Sequence, residues 1–133
     1  MEPQPITPEE LLAALQGRWR TLRAIRHADG TRARFEGVTT WDGAACVEEG
    51  VMTAGGAAMP ARRGTRWSVR GGDLVVDFPD GRPFHIVGGC AHHCPPDRYA
   101  LRYDVAAWPR WSVRWRVTGP AKDYAAITRY RRD

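Results

Sequence analysis

Residues 111–117 read Trp-Ser-Val-Arg-Trp-Arg-Val, so that Trp111, Val113, Trp115 and Val117 alternate with Ser112, Arg114 and Arg116. A strict period of two puts the four apolar groups on one side of an extended strand and the three polar groups on the other. A helix would scatter both sets around its circumference. The stretch predicts a strand over 110–118 with one face in a core and the other in water.

The same period runs outward from it through everything after Gly17. Strands are expected at 18–28, 32–41, 44–52, 64–70, 73–79, 82–87, 98–105, 110–118 and 123–131. Asp29-Gly30, Asp42-Gly43, Gly71-Gly72 and Asp80-Gly81 supply the residue types that tight hairpin turns demand, and Gly119-Pro120 separates the last two strands. Residues 53–61 (Thr-Ala-Gly-Gly-Ala-Ala-Met-Pro-Ala) read as a flexible loop and 88–97 as an irregular one. Before the strands, Thr7-Pro8-Glu9-Glu10 combines a capping box with proline at the first helical position. Leu11, Leu12 and Leu15 continue as an apolar stripe, which predicts a helix over about 7–16, ended by Gly17. A helix that short is unstable alone, so its leucines are expected to plug or flank the sheet.

Nine short antiparallel strands joined by tight turns make a meander, and a meander of this size can hide its edges by closing into an up-and-down barrel. A two-sheet sandwich is the alternative. The 133 residues suit one domain spanning 1–133, and 43% hydrophobic content with six Trp, four Tyr and three Phe suffices for a core. No run approaches the roughly 18 apolar residues of a membrane span. The N-terminal Met-Glu-Pro-Gln-Pro-Ile-Thr-Pro-Glu-Glu is acidic and proline-rich, unlike a signal peptide, so a cytoplasmic protein without membrane partners is expected. Three cysteines, an odd number, argue against a disulfide framework.

A net charge of +5 and a pI of about 9.6 invite a nucleic-acid reading. The distribution argues otherwise: Arg18/Arg20, Arg32/Arg34, Arg114/Arg116 and Arg129/Arg131 are pairs spaced by two on four strands, as solvated outer faces require. No nucleic-acid partner is expected. The expected partner is a small-molecule ligand or substrate, and a homodimer is the assembly considered.

Parity within each strand sorts the inward residues. The apolar faces are Trp19, Thr21, Arg23 and Ile25; Phe35, Gly37, Thr39 and Trp41; Val47, Glu49 and Val51; Arg63, Thr65, Trp67 and Val69; Tyr99, Leu101, Tyr103 and Val105; Trp111 to Val117; and Tyr124, Ala126, Thr128 and Tyr130. Arg23, Glu49 and Arg63 thus ride on apolar faces. An unpaired buried charge is costly by several kcal/mol, so these three must pair with one another, meet water in a cavity, or hold a ligand. An Arg–Glu–Arg network that only fixes the barrel and a polar floor beneath a pocket both fit.

His85, Cys90, His92, His93 and Cys94 fall within ten residues, but a single C-x₃-C with no second pair matches no standard zinc module, and no metal is expected. Cys94 beside a histidine could form a Cys–His pair, although no acyl-transfer signature surrounds it. The simplest reading makes Cys94 a small buried group, with His92 and Asp97 capping the turn at Pro95-Pro96.

Several strings here resemble a bacterial family of small domains of unknown function: Gly17-Arg18-Trp19, Phe35-Glu36-Gly37, Glu48-Glu49-Gly50, Asp80-Gly81-Arg82-Pro83-Phe84-His85, His92 to Tyr99, Trp111 to Trp115 and Gly119-Pro120-Ala121-Lys122-Asp123-Tyr124. The resemblance covers nearly the whole chain from Gly17 onward, with Thr65 standing where the pattern prefers an aromatic. It implies a calycin-like, that is lipocalin-type, β-barrel and no particular activity.

Two function classes follow. In the first, the barrel binds a partly apolar or aromatic, anionic small molecule through Arg23, Arg63, Trp67, Cys94, Asp97, Tyr99, Tyr103, Trp115 and Lys122. In the second it is a cofactor-independent isomerase, cyclase or dehydratase using His85, His92, Glu49 and Tyr124 as acid–base groups. Neither needs a cofactor.

Overall fold

The computed structural model describes residues 2–87, the backbone of 92–94, and 97–133. Helix α1 (Pro8–Leu15) starts at the expected capping box: the Thr7 side chain accepts from the Glu10 N–H and the Glu10 carboxylate accepts from the Thr7 N–H. Ten strands follow: β1 (Gly17–His27), β2 (Arg32–Asp42), β3 (Ala45–Ala54), β4 (Ala57–Arg70), β5 (Asp73–Asp77), β6 (Pro83–Ile86), β7 (His92–Cys94), β8 (Asp97–Asp104), β9 (Trp111–Thr118) and β10 (Asp123–Arg132). They form one antiparallel sheet in the order β6-β5-β4-β3-β2-β1-β10-β9-β8-β7, so that β1 and β10 pair and β6 and β7 come together across the seam of a nearly closed barrel. The sandwich alternative is thereby set aside.

Two expectations are corrected. Residues 53–61 are not a loop, because β3 and β4 continue to a hairpin turn at Gly55-Gly56, whose φ values of 58° and 80° only glycine adopts readily. Pro60 is tolerated there because β5 pairs with β4 only from Arg66 onward, leaving the earlier half an edge. The segment 88–97 is also not wholly irregular, since β7 and the start of β8 lie in it.

The core fills one end of the barrel. Leu15 is fully buried and Leu11 and Leu12 pack beside it, so the helix acts as a plug. Beneath it Trp19, Trp41, Trp67, Trp108, Trp111 and Tyr130 pack ring against ring, the tightest pair being Trp111 stacked on Tyr130 at 3.9 Å and 9°. Trp19 is anchored further by its indole N–H donating to the Leu15 carbonyl at 2.7 Å and by the Arg132 guanidinium 4.1 Å from its ring. Among the described residues no helix is long and apolar enough to cross a membrane.

Candidate functional site

Arg23 projects inward from β1, as parity predicts, and its guanidinium meets Glu48 on β3 in a two-pronged pair: Nη1 to Oε1 at 2.8 Å and Nη2 to Oε2 at 2.7 Å. Its Nε donates to the Thr128 hydroxyl on β10 at 2.7 Å. Both side chains of the pair are only 9% exposed. Burial alone would push the Glu48 carboxyl up, but the hydrogen bonds and charge of Arg23, joined by the charge of Arg63, more than offset it and hold the group below its ordinary 4.5. Arg63 on β4 stands 3.7 Å from the Glu48 carboxylate and is 44% exposed, with its guanidinium 5.9 Å from the Trp115 ring centre. The three charges form a floor across the barrel, and two cations share one anion.

Glu49 is a correction. It faces outward, 63% exposed, and pairs with Arg62 at 3.1 Å. Cys46 and Glu48 occupy the inner face of β3, while Val47 is only partly buried and Val51 is exposed. The apolar valines made the wrong face of β3 look like the core face. The hairpin register shows why: Trp41 pairs with Cys46 and Thr39 with Glu48, and cross-strand partners share a face.

Above the floor the barrel opens into a cup of about 510 Å³. Its walls include Ile25, Phe78, Phe84, Tyr99, Trp115 and Tyr124, with His27 and Lys122 toward the mouth. Phe78 and Phe84 are stacked at 4.7 Å across the Asp80-Gly81 turn, which is closed by Asp80 accepting from the Arg82 N–H at 3.0 Å and from its Nε at 2.7 Å. Lys122 Nζ lies 3.1 Å from the Asp97 carboxylate and donates to the Tyr99 hydroxyl at 3.2 Å; these bonds to Tyr99 and Asp97 raise its pKa and keep it an ammonium. A Cβ on Gly119 would stand 2.1 Å from an Asp97 oxygen, so glycine lets this pair sit against the backbone. The Tyr124 hydroxyl is pushed up by burial, then by the nearby Tyr99.

Below the floor is a second, much smaller void of about 30 Å³, lined by Thr39, Glu48, Thr65, His85, Tyr103 and the aromatic plug. That is room for a water molecule rather than a ligand. The structure therefore divides the sequence-predicted residues. Arg23, Arg63, Tyr99, Trp115, Lys122 and Tyr124 line the cup, and Asp97 braces its rim through Lys122. Trp67 and Tyr103 lie deeper, at the small void, and so does His85, which is 4% exposed and packs edge-on against the Trp67 and Trp115 rings. The side chains of His92 and Cys94, and all of Cys90, lie outside the described residues. Ile25, His27, Met52, Phe78 and Phe84 were missed; Ile25 and His27 extend the parity of Arg23, and the two phenylalanines flank the turn dipeptide.

The matched family is one of unknown function, DUF6314, and the match covers residues 15–132. The chain belongs to this family. No curated protein matches it. Among solved structures, an S-type phycobiliprotein lyase, CPES, from Guillardia theta shares the fold at a TM-score of 0.57 and 10% identity, over 96% of this chain and 93% of the lyase. This DUF6314 chain is thus a nearly closed β-barrel that shares the lyase's fold, plugged by its helix at one end.

Proposed function

We propose that this barrel binds a small, ring-bearing anion in its cup, with the acid group of the ligand on Arg63 and the ring between Trp115, Phe84 and Tyr124. The observation that carries the reading is the half-exposed Arg63 guanidinium at the base of an aromatic cup, opposite a carboxylate already held by both prongs of Arg23. Arginine presents a planar fork to a carboxylate, sulfonate or phosphate, and an aromatic face beside it receives an attached ring. Lys122 at the mouth adds a second cation on the approach path. The likeness to a phycobiliprotein lyase is consistent with a small-molecule-binding barrel. Of the acid–base set expected for an enzyme, Glu49 is outside the barrel, His85 lines the small void and Tyr124 the cup, which favours the binding reading over that set acting together.

A thermal-shift screen of aromatic carboxylates and sulfonates tests this. Ligands that raise the melting temperature of the wild type should lose about 10- to 100-fold in affinity with Arg63→Ala, the equivalent of one charged hydrogen-bonding partner. Hits that bind Arg63→Ala as tightly as wild type would remove the assignment.

A further inference from the structure

The outer surface carries a second concavity, of about 670 Å³, on the opposite side of the sheet from the cup. Its floor is the outer face of β1, β10 and β9, and one wall is the 105–110 connection between β8 and β9. That wall is firmly seated: Trp108 is buried against Trp19 with rings 5.5 Å apart, and the connection turns on Trp108 N–H to Val105 carbonyl and Arg110 N–H to Ala107 carbonyl bonds, each 3.1 Å.

Four arginines line this groove: Arg20, Arg110, Arg129 and Arg131. The one carboxylate in the lining, Asp104, uses an oxygen to accept from the Ala106 N–H at 3.0 Å. Arg20 and Arg131 are directly opposite in the β1–β10 register, which holds their Cβ atoms about 5 Å apart, and like charges so placed are destabilising. Several surface arginines elsewhere meet acids, Arg34 with Glu36, Arg62 with Glu49, Arg70 with Asp77, and Arg116 with Asp123, while others such as Arg102 and Arg114 stand without one among the described residues but outside the concavity that gathers these four. Among the described residues Arg110, Arg129 and Arg131 have no such partner, and Arg20 reaches only Asp133, at 3.7 Å, which Arg18 holds more closely at 3.2 Å. Scattered solvation explains isolated pairs of arginines; it does not explain four converging on one walled concavity with a single acid.

We infer that this groove is a binding site for an oligophosphate, a chain of two or more linked phosphate groups. Several guanidinium forks can each take oxygens from successive phosphates, and the Ser112 hydroxyl, opposite Arg129 in the β9–β10 register, adds a neutral donor on the floor. A walled concavity suits a short chain. The two aromatic residues of the lining, Trp111 and Tyr130, are buried, so among the described residues the groove offers no open ring on which bases of a single-stranded nucleic acid could stack.

Calorimetric titration of the full chain with tripolyphosphate and with orthophosphate tests the site. Tripolyphosphate is expected to bind at least ~10-fold more tightly than orthophosphate, and more weakly as salt rises. Arg129→Gln with Arg131→Gln should weaken tripolyphosphate about 10-fold or more. The charge-matched pair Arg102→Gln with Arg114→Gln, which lies on the same face outside the groove, should change it less than about twofold, as should Arg63→Ala in the cup. Equal loss in both double variants would show diffuse attraction by the whole face and overturn the inference. So would equal affinity for the two phosphates, or binding of a DNA duplex by a chain that ignores tripolyphosphate. Melting curves of each variant separate loss of binding from loss of fold.

Discussion

Glu48 and Glu49 are adjacent and chemically identical, yet the barrel wall puts them in opposite dielectric worlds. Glu48 neutralises a buried guanidinium through two short bonds, so Glu48→Gln leaves Arg23 charged, buried and without its counter-ion. The expected loss is roughly 3–5 kcal/mol at neutral pH. Glu49→Gln removes a solvated pair with Arg62 and should cost less than about 0.5 kcal/mol. The pH dependence has a fixed sign. The folded-state pKa of Glu48 is depressed, so its contribution is complete above the unfolded value near 4.5 and is lost as pH falls through the lower folded value. Urea unfolding of wild type and Glu48→Gln should therefore give a wide, flat difference between pH 7 and about pH 5 that narrows at more acid pH. A difference that stays constant down to pH 3 would contradict this role for Glu48. Cys46, on the same inner face, is pushed up to about 11 chiefly by burial and stays a thiol throughout that range.

At the scale of elements, the wall between floor and mouth depends on how closely β2 and β3 approach. Gly37 and Gly50 face each other across that pair; a Cβ on Gly37 would lie 2.1 Å from the Glu49 carbonyl oxygen, and one on Gly50 would lie 2.1 Å from the Glu36 carbonyl oxygen. Backbone, not a flexible side chain, is in the way. Gly37→Ala or Gly50→Ala should lower stability by about 1–3 kcal/mol or more in chemical denaturation, whereas Gly64→Ala, whose new methyl would meet nothing closer than 3.8 Å, should be far milder. Comparable losses at all three positions would mean the close approach is not what selects glycine. The strands themselves were legible because Trp111 to Val117 and its counterparts alternate cleanly and because glycine dipeptides mark the turns. The β3–β4 hairpin was not, because Ala57, Ala58 and Pro60 carry no alternation: half of β4 is an edge with little to bury. The inner face of β3 was misread because its apolar residues point away from the core while its inward residue, Glu48, answers an arginine 25 positions earlier in the chain. Counting the register back from the Asp42-Gly43 turn places Glu48 beside Thr39 without any appeal to hydrophobicity.

At the scale of the whole molecule, the plug fills one end of the barrel among the described residues, and the charged floor separates it from the cup at the other. The indole-lined end, from Leu15 to Tyr130, leaves only a void of about 30 Å³, and the cup beyond Arg63 is open to about 510 Å³. Six tryptophans therefore report on different compartments: Trp115 borders the cup, Trp19 is sealed beneath the helix, and Trp111 adjoins the outer groove. The most direct test of cup binding is to follow the six indole N–H resonances by NMR while titrating 8-anilinonaphthalene-1-sulfonate, a ring-bearing anion, into wild type and Arg63→Ala. The account predicts a saturable shift at Trp115 in the wild type, little or none at Trp19, and loss of the Trp115 response in Arg63→Ala. A Trp115 signal that does not move, or that moves equally in Arg63→Ala, would contradict it.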